Sequence, residues 1–374
     1  MLWIVALGLV LLCTLYFVYT GGRSGNDHLV AVFVALCMAP YLWLGYGAPS
    51  FLLRAVLSLG PIGIWGLFFI LHRRKDAGAW MPLAHLSQVS YLFSLWSWGG
   101  LLVWIPVALL AQKNIFWPAE WCFLPLLLSA WSLIWTHLHH NQVSRHRLGN
   151  NGVKLAHLSD IHVSPVMRDS DLKECIEHTM KEDPDLLLLT GDLLMPFSEG
   201  PEEHRYLIEQ LRDLNIPIYA CLGNHDLPVK DAFVKELEDA NVHVLVDAQE
   251  LIEINGVQIL VSGLDFRWSS AEQHVHEVCS QWLEQADFRI LLVHDPRYFK
   301  YLPEKFDLVL AGHTHGGQVA ANMFGLSVSI LRPIIPDQGW FKRNGMRLYV
   351  HKGNWHTGLP PRVGVASEIA IFDV

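Results

Sequence analysis

The hydrophobic positions divide the chain at about residue 150. Before that point they form long apolar runs, near residues 2–20, 28–48, 51–71, 84–111 and 115–137. A helix needs roughly 20 apolar residues to cross the hydrocarbon core of a bilayer. The pattern therefore predicts a transmembrane helical domain of about five spans over residues 1–140.

The basic residues between the runs predict how that domain is oriented. Arg23 follows the first run, the HRRK segment 72–75 follows the third and the SRHR segment 144–147 follows the fifth. Loops on the cytoplasmic side of a membrane carry an excess of Lys and Arg. We therefore expect everything after residue 140 to face the cytoplasm, with residues 141–152 forming a basic linker.

From residue 153 the pattern changes to short apolar runs separated by amphipathic stretches. Strands are predicted at VKLAHLSD, DLLLLTGD, IPIYACLGNHD, FRILLVHD and DLVLAGHTH, with further strands near RLYVHKG and SEIAIFDV. Helices are predicted near residues 170–182, 201–213, 228–240 and 271–285. ELIEINGVQILVSG is expected to form a hairpin around a type I′ turn at Asn255-Gly256. This alternation predicts an α/β domain over residues 153–374.

Charge follows the same division. Residues 1–150 carry eight Lys/Arg and three Asp/Glu, whereas the remaining residues carry 19 and 33. An acidic domain is a poor partner for nucleic acid, because binding to nucleic acid relies on Lys and Arg that neutralise phosphates. A phosphate-handling site in this half would need positive charge from another source, such as metal ions. The six cysteines are scattered without paired spacing, which argues against a disulfide framework.

The five central strands of the second half all end in polar side chains. These are Asp160 and His162, Asp192, Asn224 and His225, His294, and His313 and His315. In an open α/β sheet, sites form at the carboxyl ends of strands, so we expect these residues to converge. Carboxylate, amide and imidazole ligands suit Mn, Fe or Zn. Asp192 lies in the middle of the set and is the natural bridge between two ions.

The arrangement resembles a known family. The motifs are D-x-H at 160–162, G-D at 191–192, G-N-H-D at 223–226, a later His294 and G-H-x-H at 312–315. In this order they resemble the calcineurin-like binuclear metallophosphoesterases, over roughly residues 153–374. The resemblance implies an αββα sandwich that hydrolyses phosphoesters with two divalent ions, and we expect Mn²⁺, with Fe or Zn as alternatives.

The resemblance also implies a role for each residue. Asp160, His162, Asp192 and His315 would bind one ion, and Asp192, Asn224, His294 and His313 the other. His225 would act beside the scissile phosphate, protonating the leaving oxygen or stabilising charge in the transition state. Asp226 would orient the imidazole of His225.

The substrate is predicted from the covalent link to a membrane domain. Among related architectures are UDP-2,3-diacylglucosamine diphosphatases of lipid A synthesis, which would release UMP and 2,3-diacylglucosamine 1-phosphate. This resemblance predicts a multi-pass protein of the bacterial inner membrane that takes a lipid-linked phosphate from the bilayer. We infer no obligate protein partner.

Two alternatives stay open. The chain is also similar to membrane-associated bacterial phosphodiesterases, which would act on other lipid or nucleotide substrates; the GNWHTGLPPR segment 353–362 resembles a loop of that branch. The other alternative is a membrane sensor that binds a nucleotide without turning it over. Substrate contacts are predicted at Arg332, Arg343 and Arg362, and the apolar segment 324–336 could line an acyl groove or form a hairpin.

Overall fold

The computed structural model describes residues 123–163, 167, 169–195, 201–282, 285–318, 320–323, 326–329, 331–355 and 362–374, together with residues 97, 106, 107, 109 and 110. The chain forms two compact units, residues 1–134 with 359–361, and residues 135–358 with 362–374. The first three predicted spans and nearly all of the fourth lie outside the described residues. The fifth is described only from residue 123 onwards.

Helix α1 (Phe123–Leu138) has 16 residues and contains the end of the fifth predicted span. Among the residues that the structure describes, no helix combines the length and the apolar character needed to cross a bilayer.

The second unit is built from strands that alternate with helices. The helices are α2 (Asp169–Met180), α3 (Pro201–Arg212), α4 (Lys230–Glu238) and α5 (Ala271–Cys279). The strands are β1 (Gln142–Arg147), β2 (Lys154–Leu158), β3 (Leu186–Thr190), β4 (Ile218–Cys221), β5 (Val242–Val244), β6 (Ala248–Ile254), β7 (Val257–Gly263), β8 (Phe288–Leu292), β9 (Leu308–Ala311), β10 (Ala320–Met323), β11 (Leu326–Ser329), β12 (Gly339–Arg343), β13 (Met346–Val350) and β14 (Glu368–Asp373).

Two six-stranded sheets organise these elements. The first has the order β1-β14-β2-β3-β4-β5, and the second has the order β12-β13-β9-β8-β7-β6. Within them, β2 to β5 run parallel to one another, and so do β7, β8, β9 and β13. Strands β10 and β11 form a separate antiparallel hairpin. Parallel strands joined by helices place all their carboxyl ends at one edge of each sheet.

Three apolar clusters give the domain its layers. One lies between the sheets and contains Leu188, Tyr219, Ile290 and Leu310. The second covers the outer face of the first sheet with the buried sides of α2, α3 and α4. The third covers the outer face of the second sheet with α5 and the short helix Pro296–Lys300. The predicted αββα sandwich is therefore confirmed for this unit.

Most of the predicted elements are confirmed, because each had a strong apolar period. All seven named strands are present, and three of the four helices begin and end within two residues of their predicted bounds, whereas α5 ends at Cys279, six residues before its predicted end. The β6–β7 hairpin turns at Asn255 and Gly256, whose φ angles of 52° and 80° are both positive, as a type I′ turn requires.

The region predicted as a basic linker differs from the expectation. Residues 142–147 form β1, which pairs in parallel with β14 at the edge of the first sheet. The sequence of this strand, QVSRHR, is mostly polar and basic, and its side chains are exposed or half-buried. A linker therefore does not describe these six residues, because backbone pairing with β14 determines their conformation.

Candidate metal centre

The polar residues at the strand ends converge, as predicted. Those after β2, β3 and β4 come from the first sheet, and those after β8 and β9 come from the second. They form three overlapping groups whose ligand atoms lie within 4.8 Å of one another. The groups are Asp160, His162 and His315; His162, Asp192 and His225; and Asp192, His294 and His313.

The first predicted ion site is centred on Asp160 and two histidines. His315 Nε2 lies 3.2 Å from Asp160 Oδ1 and 3.0 Å from His162 Nε2. His162 Nε2 is also 3.8 Å from Asp192 Oδ2. Ligand atoms separated by 3 to 4 Å match the edges of a coordination shell whose metal–ligand bonds are about 2.0–2.2 Å.

The second predicted ion site shares Asp192 with the first. His294 Nε2 lies 3.2 Å from Asp192 Oδ2, and His313 Nδ1 lies 3.1 Å from His294 Nε2. Asn224 is the other predicted ligand, and its side-chain Oδ1 is buried with no hydrogen-bond partner. Leaving a buried amide oxygen unsatisfied is costly, and a cation would satisfy it. The oxygen and imidazole donors, together with this oxygen, fit a divalent metal.

The backbone at the site is held in an uncommon conformation. Five of the seven predicted ligands, Asp160, His162, Asp192, His313 and His315, have φ between 50° and 72°. Non-glycine residues rarely adopt this left-handed region, and it costs of order 1–3 kcal/mol at each residue. This left-handed conformation lets neighbouring ligands of one short loop, such as Asp160 and His162, place their side chains at the same ion site.

Two glycines of the motifs are required by close contacts. A β-carbon at Gly223 would lie 2.1 Å from Asp192 Oδ1, and one at Gly312 would lie 2.3 Å from Asp160 Oδ2. Both distances are far below van der Waals contact, so these positions exclude any side chain. The glycines therefore let the loops after β4 and β9 approach the carboxylates.

Hydrogen bonds behind the ligands fix three of the imidazole rings. His162 Nδ1 lies 3.2 Å from the Leu194 carbonyl and His294 Nδ1 lies 2.7 Å from the Thr190 carbonyl. His315 Nδ1 lies 3.2 Å from the Trp355 carbonyl. A carbonyl partner keeps a proton on Nδ1, so Nε2 is the nitrogen of each ring that a metal would bind. Sequence reasoning missed Trp355 as a supporting residue, since its contribution is a backbone carbonyl.

The carboxylates and imidazoles shift one another's pKa values. Burial alone would lower the pKa of His294, but the Asp192 carboxylate beside it, with a contribution from Asp160, raises it to about 10. Burial and the neighbouring His294 lower the pKa of His313 to about 4. Burial would raise the pKa of Asp160, yet His315, His294 and His162 hold it well below its ordinary value. The two carboxylates are therefore charged at neutral pH, as metal ligands must be.

His225 is more exposed than three of the four predicted ligand histidines, whereas the fourth, His313, is half-buried as His225 is. The His225 side chain is 26% exposed, whereas those of His162 and His294 are fully buried and that of His315 is 3% exposed. Its Nε2 is 3.6 Å from Asp192 Oδ2, and its ring lies edge-on to that of His162. Burial lowers the pKa of His225. The ring thus borders both groups and remains open to a substrate.

Asp226 is placed differently from the prediction that it orients His225. Its Oδ2 accepts a hydrogen bond from the Gly223 amide at 2.8 Å, and its Oδ1 accepts one from the Leu194 amide at 3.0 Å. Burial and the nearby Asp192 carboxylate raise its pKa to about 7. The side chain therefore joins the loop after β4 to the loop after β3 through their backbones. Sequence spacing cannot distinguish this contact from one with the adjacent imidazole.

The three predicted substrate arginines lie in different places. Arg362 is buried, and its guanidinium donates to the His315 carbonyl and to the Trp355 carbonyl that faces His315 Nδ1, so it supports a predicted ligand. Arg332 is 43% exposed and pairs with Asp337, whose carbonyl accepts a hydrogen bond from Thr314, between the two ligand histidines.

Arg343 lies away from the site, contrary to the prediction. It pairs with Met346 at the amino end of β13, which runs parallel to β9, whereas the ligands follow the carboxyl end of β9. Its guanidinium donates to the carbonyls of Lys300 and Leu302. The reversal of direction between β12 and β13 separates it from the ligands.

Comparison with known proteins agrees with this geometry. Residues 153–317 match the calcineurin-like phosphoesterase family. The chain is 30% identical over 233 residues to the uncharacterized metallophosphoesterase YkuE of Bacillus subtilis, covering 60% of this chain and 79% of YkuE. It is also 30% identical over 233 residues to an uncharacterized metallophosphoesterase of Aquifex aeolicus, covering 59% and 85%. Phosphodiesterase YaeI of Escherichia coli is 30% identical over 196 residues, covering 49% and 70%.

Proposed function

Because the chain belongs to the calcineurin-like phosphoesterase family and is a metallophosphoesterase, we propose that it hydrolyses phosphodiesters with two divalent ions bound at the paired groups described above. The observation that carries the proposal is the place of Asp192, which lies between the group of Asp160, His162 and His315 and the pair of His294 and His313, with a partly exposed His225 beside it. YaeI is named a phosphodiesterase, which supports a diester as the substrate class.

The residues divide the chemistry between them. Asp160, His162, Asp192 and His315 would hold one ion, and Asp192, Asn224, His294 and His313 the other. Two such ions neutralise phosphate oxygens and make a water acidic enough to supply a nucleophile near neutral pH. His225 is the exposed proton donor and acceptor next to both groups, so we assign it the proton that the leaving oxygen takes up.

The buried surroundings keep these residues in place. The carbonyls behind His162, His294 and His315 fix the orientation of the rings. Backbone amides fix the carboxylates, since the His225 amide donates to Asp192 Oδ1 at 2.9 Å and the His313 amide donates to Asp160 at 3.1 Å. A site whose ligands are fixed in advance loses little free energy to reorganisation when substrate binds.

The finer substrate and the location form a further part of the proposal. The apolar runs of residues 1–140 support a multi-pass membrane protein with its catalytic unit in the cytoplasm. Such a protein would draw an amphiphilic diester or pyrophosphate from the inner leaflet, and UDP-2,3-diacylglucosamine is the predicted example. We propose Mn²⁺ as the metal pair, because the donors are oxygen and imidazole without thiolate.

The test uses the full chain purified in detergent with Mn²⁺. Wild type is compared on bis-p-nitrophenyl phosphate, UDP-2,3-diacylglucosamine and cyclic nucleotides. We expect Asp192→Ala to lose both activity and metal, and Asp213→Ala, which alters an exposed carboxylate after α3, to keep both. UMP release confined to the lipid substrate would support the lipid A assignment, and hydrolysis of the generic diester alone would exclude it.

One outcome would contradict the catalytic proposal itself. If wild type and Asp192→Ala were equally inactive on every phosphoester, while wild type still bound nucleotide, the protein would be a binding module. A C-terminal topology reporter tests the location separately, since a signal outside the cytoplasm would overturn the proposed orientation.

A further inference from the structure

A short segment after β7 places an exposed tryptophan one aromatic ring away from the second predicted ion site. The Phe266 ring is buried, and its centroid lies 5.9 Å from the rings of both His294 and His313. Trp268 packs against Phe266 at 5.0 Å, with an interplanar angle of 83°, yet remains 68% exposed. Two ring contacts therefore connect a predicted metal ligand to an aromatic surface in solvent.

The backbone of this segment is fixed on both sides. The Asp265 amide donates to Asp247 at 2.9 Å, and the Arg267 amide donates to the hydroxyl of buried Tyr298 at 2.7 Å. Lys230, from the first turn of α4, pairs with the Asp265 carboxylate at 2.7 Å. Trp268 is thus presented by an anchored loop, so the backbone that carries its ring is fixed before any ligand binds.

We propose that Trp268 is a stacking platform for the nucleobase of a nucleotide phosphoester whose phosphate occupies the metal centre. This inference rests on the proposed phosphodiesterase function and adds a substrate class to it. Tryptophan presents a large rigid face, and stacking between aromatic side chains and bases is tolerant of base identity.

The surroundings favour a planar group over an acyl chain. Trp268 is flanked by Arg267, Ser269 and Ser270, all exposed and polar. Among the described residues of the second unit, the other exposed large apolar side chains are Leu138 in α1, Leu251 in β6 and Ile334 after β11. The polar neighbours leave the indole as the apolar surface of this segment, and a single π face suits a base, whereas an acyl chain needs a continuous apolar groove.

The experiment compares two diesters that share one leaving group. The p-nitrophenyl ester of uridine 5′-phosphate and methyl p-nitrophenyl phosphate differ only in the retained group, which is a nucleoside in the first and a methyl group in the second. With the full chain and Mn²⁺, we expect Trp268→Ala to lower kcat/KM for the uridine ester by about tenfold or more and to leave the methyl ester unchanged. Trp268→Phe should recover part of the loss. Leu251→Ala, an exposed apolar residue on β6, is the matched control.

Binding of UMP is measured in parallel by calorimetry. Trp268→Ala should weaken UMP binding by about tenfold or more, whether or not turnover occurs. If wild type is inactive on both esters but binds UMP through Trp268, the proposed function fails and the inference stands. An equal loss on both esters, or unchanged UMP binding in Trp268→Ala, overturns the inference.

Discussion

Asp192 is the residue on which the two ion sites depend. Its Oδ2 lies 3.8 Å from His162 Nε2, 3.2 Å from His294 Nε2 and 3.6 Å from His225 Nε2. Its Oδ1 accepts the amide of His225. One carboxylate therefore contacts residues from the loops after β2, β4 and β8. This position, between both groups, agrees with the bridging role predicted from its place in the sequence.

Replacing His225 should separate catalysis from metal binding. We expect His225→Gln to retain both ions and lose roughly 10²–10⁴-fold in kcat, the usual contribution of general acid catalysis. Metal content by mass spectrometry and rates on a diester check this prediction. His243→Gln, at an exposed histidine paired with Glu250, should change neither quantity. Loss of one ion in His225→Gln would instead identify the ring as a ligand.

Metal affinity should depend on pH through His294. The pKa of His294 is raised to about 10 by Asp192, so in the metal-free protein this ring is protonated at neutral pH. A metal must displace that proton, and the affinity should therefore rise as pH increases towards 10. His313, with a pKa of about 4, is already neutral and adds no dependence in that range.

Calorimetry in buffers of different ionisation enthalpy measures the effect. We expect Mn²⁺ binding to chelator-treated protein at pH 8 to release about one proton at the site of His294. His294→Gln should remove that proton release together with the ion. Binding without proton release in the wild type would mean that the Asp192–His294 pair is not protonated.

At the scale of the elements, the site depends on close contact between the loops that follow the strands, at positions where only glycine fits. Gly191 and Gly223 lie in the loops after β3 and β4, and a β-carbon on Gly191 would lie 2.3 Å from the Gly223 amide nitrogen. The two loops contact each other through their backbones. The Asp226 carboxylate also links them, because it accepts hydrogen bonds from the Leu194 and Gly223 amides. Strand ends bring the ligands near one another, but these contacts set their final separation.

Gly223→Ala should therefore damage the site more than the fold. Its β-carbon would lie 2.1 Å from Asp192 Oδ1 and 2.3 Å from the Asp192 amide nitrogen, so the predicted bridging carboxylate must move together with its backbone. Displacements of about 1 Å cost on the order of 100-fold in rate, and we expect that loss in kcat/KM. Gly256→Ala is the control, because Gly256 has φ of 80° at a hairpin tip with nothing within 4 Å.

The control should change stability alone. An L-residue in the left-handed region costs about 1–2 kcal/mol, so Gly256→Ala should lower the midpoint of thermal unfolding without altering kcat/KM. Equal activity losses in the two variants would show that Gly223 acts through global stability and not through Asp192.

At the scale of the whole molecule, β1 extends the catalytic unit beyond its predicted start. It pairs with β14 along six residues, and Val143 packs against the cluster under α2, α3 and α4. Leu148, which follows β1, packs against the cluster between the sheets. The segment after the predicted membrane domain is therefore part of the sandwich.

Truncation tests this boundary. A protein beginning at Val153 would lose β1 and expose β14 as a sheet edge. A protein beginning at Trp135 would keep β1 paired with β14. We expect the shorter protein to unfold about 5–10 °C lower, since 1 kcal/mol shifts the midpoint by roughly 2–4 °C in a domain of this size. Equal midpoints would mean that β1 adds no stability.

The sequence by itself determined the class of the fold and the identity of the predicted ligands. Apolar periods of 2 and 3.6 residues are local properties, so β2, β3, β4, β8 and β9 could be predicted from neighbouring residues alone. Parallel strands of one sheet then require their carboxyl ends to share an edge, which brings Asp160 and Asp192 together without knowledge of any contact, whereas the packing of the two sheets brings His313 to them.

Only the tertiary structure decided which partner each polar group meets. Asp226 bonds to backbone amides and not to His225, Arg362 contacts His315, and Arg343 lies at the opposite end of the strands. Strand β1 likewise forms because β14, more than 200 residues later, offers an edge. Such pairings depend on long-range geometry, and spacing along the chain carries no information about them.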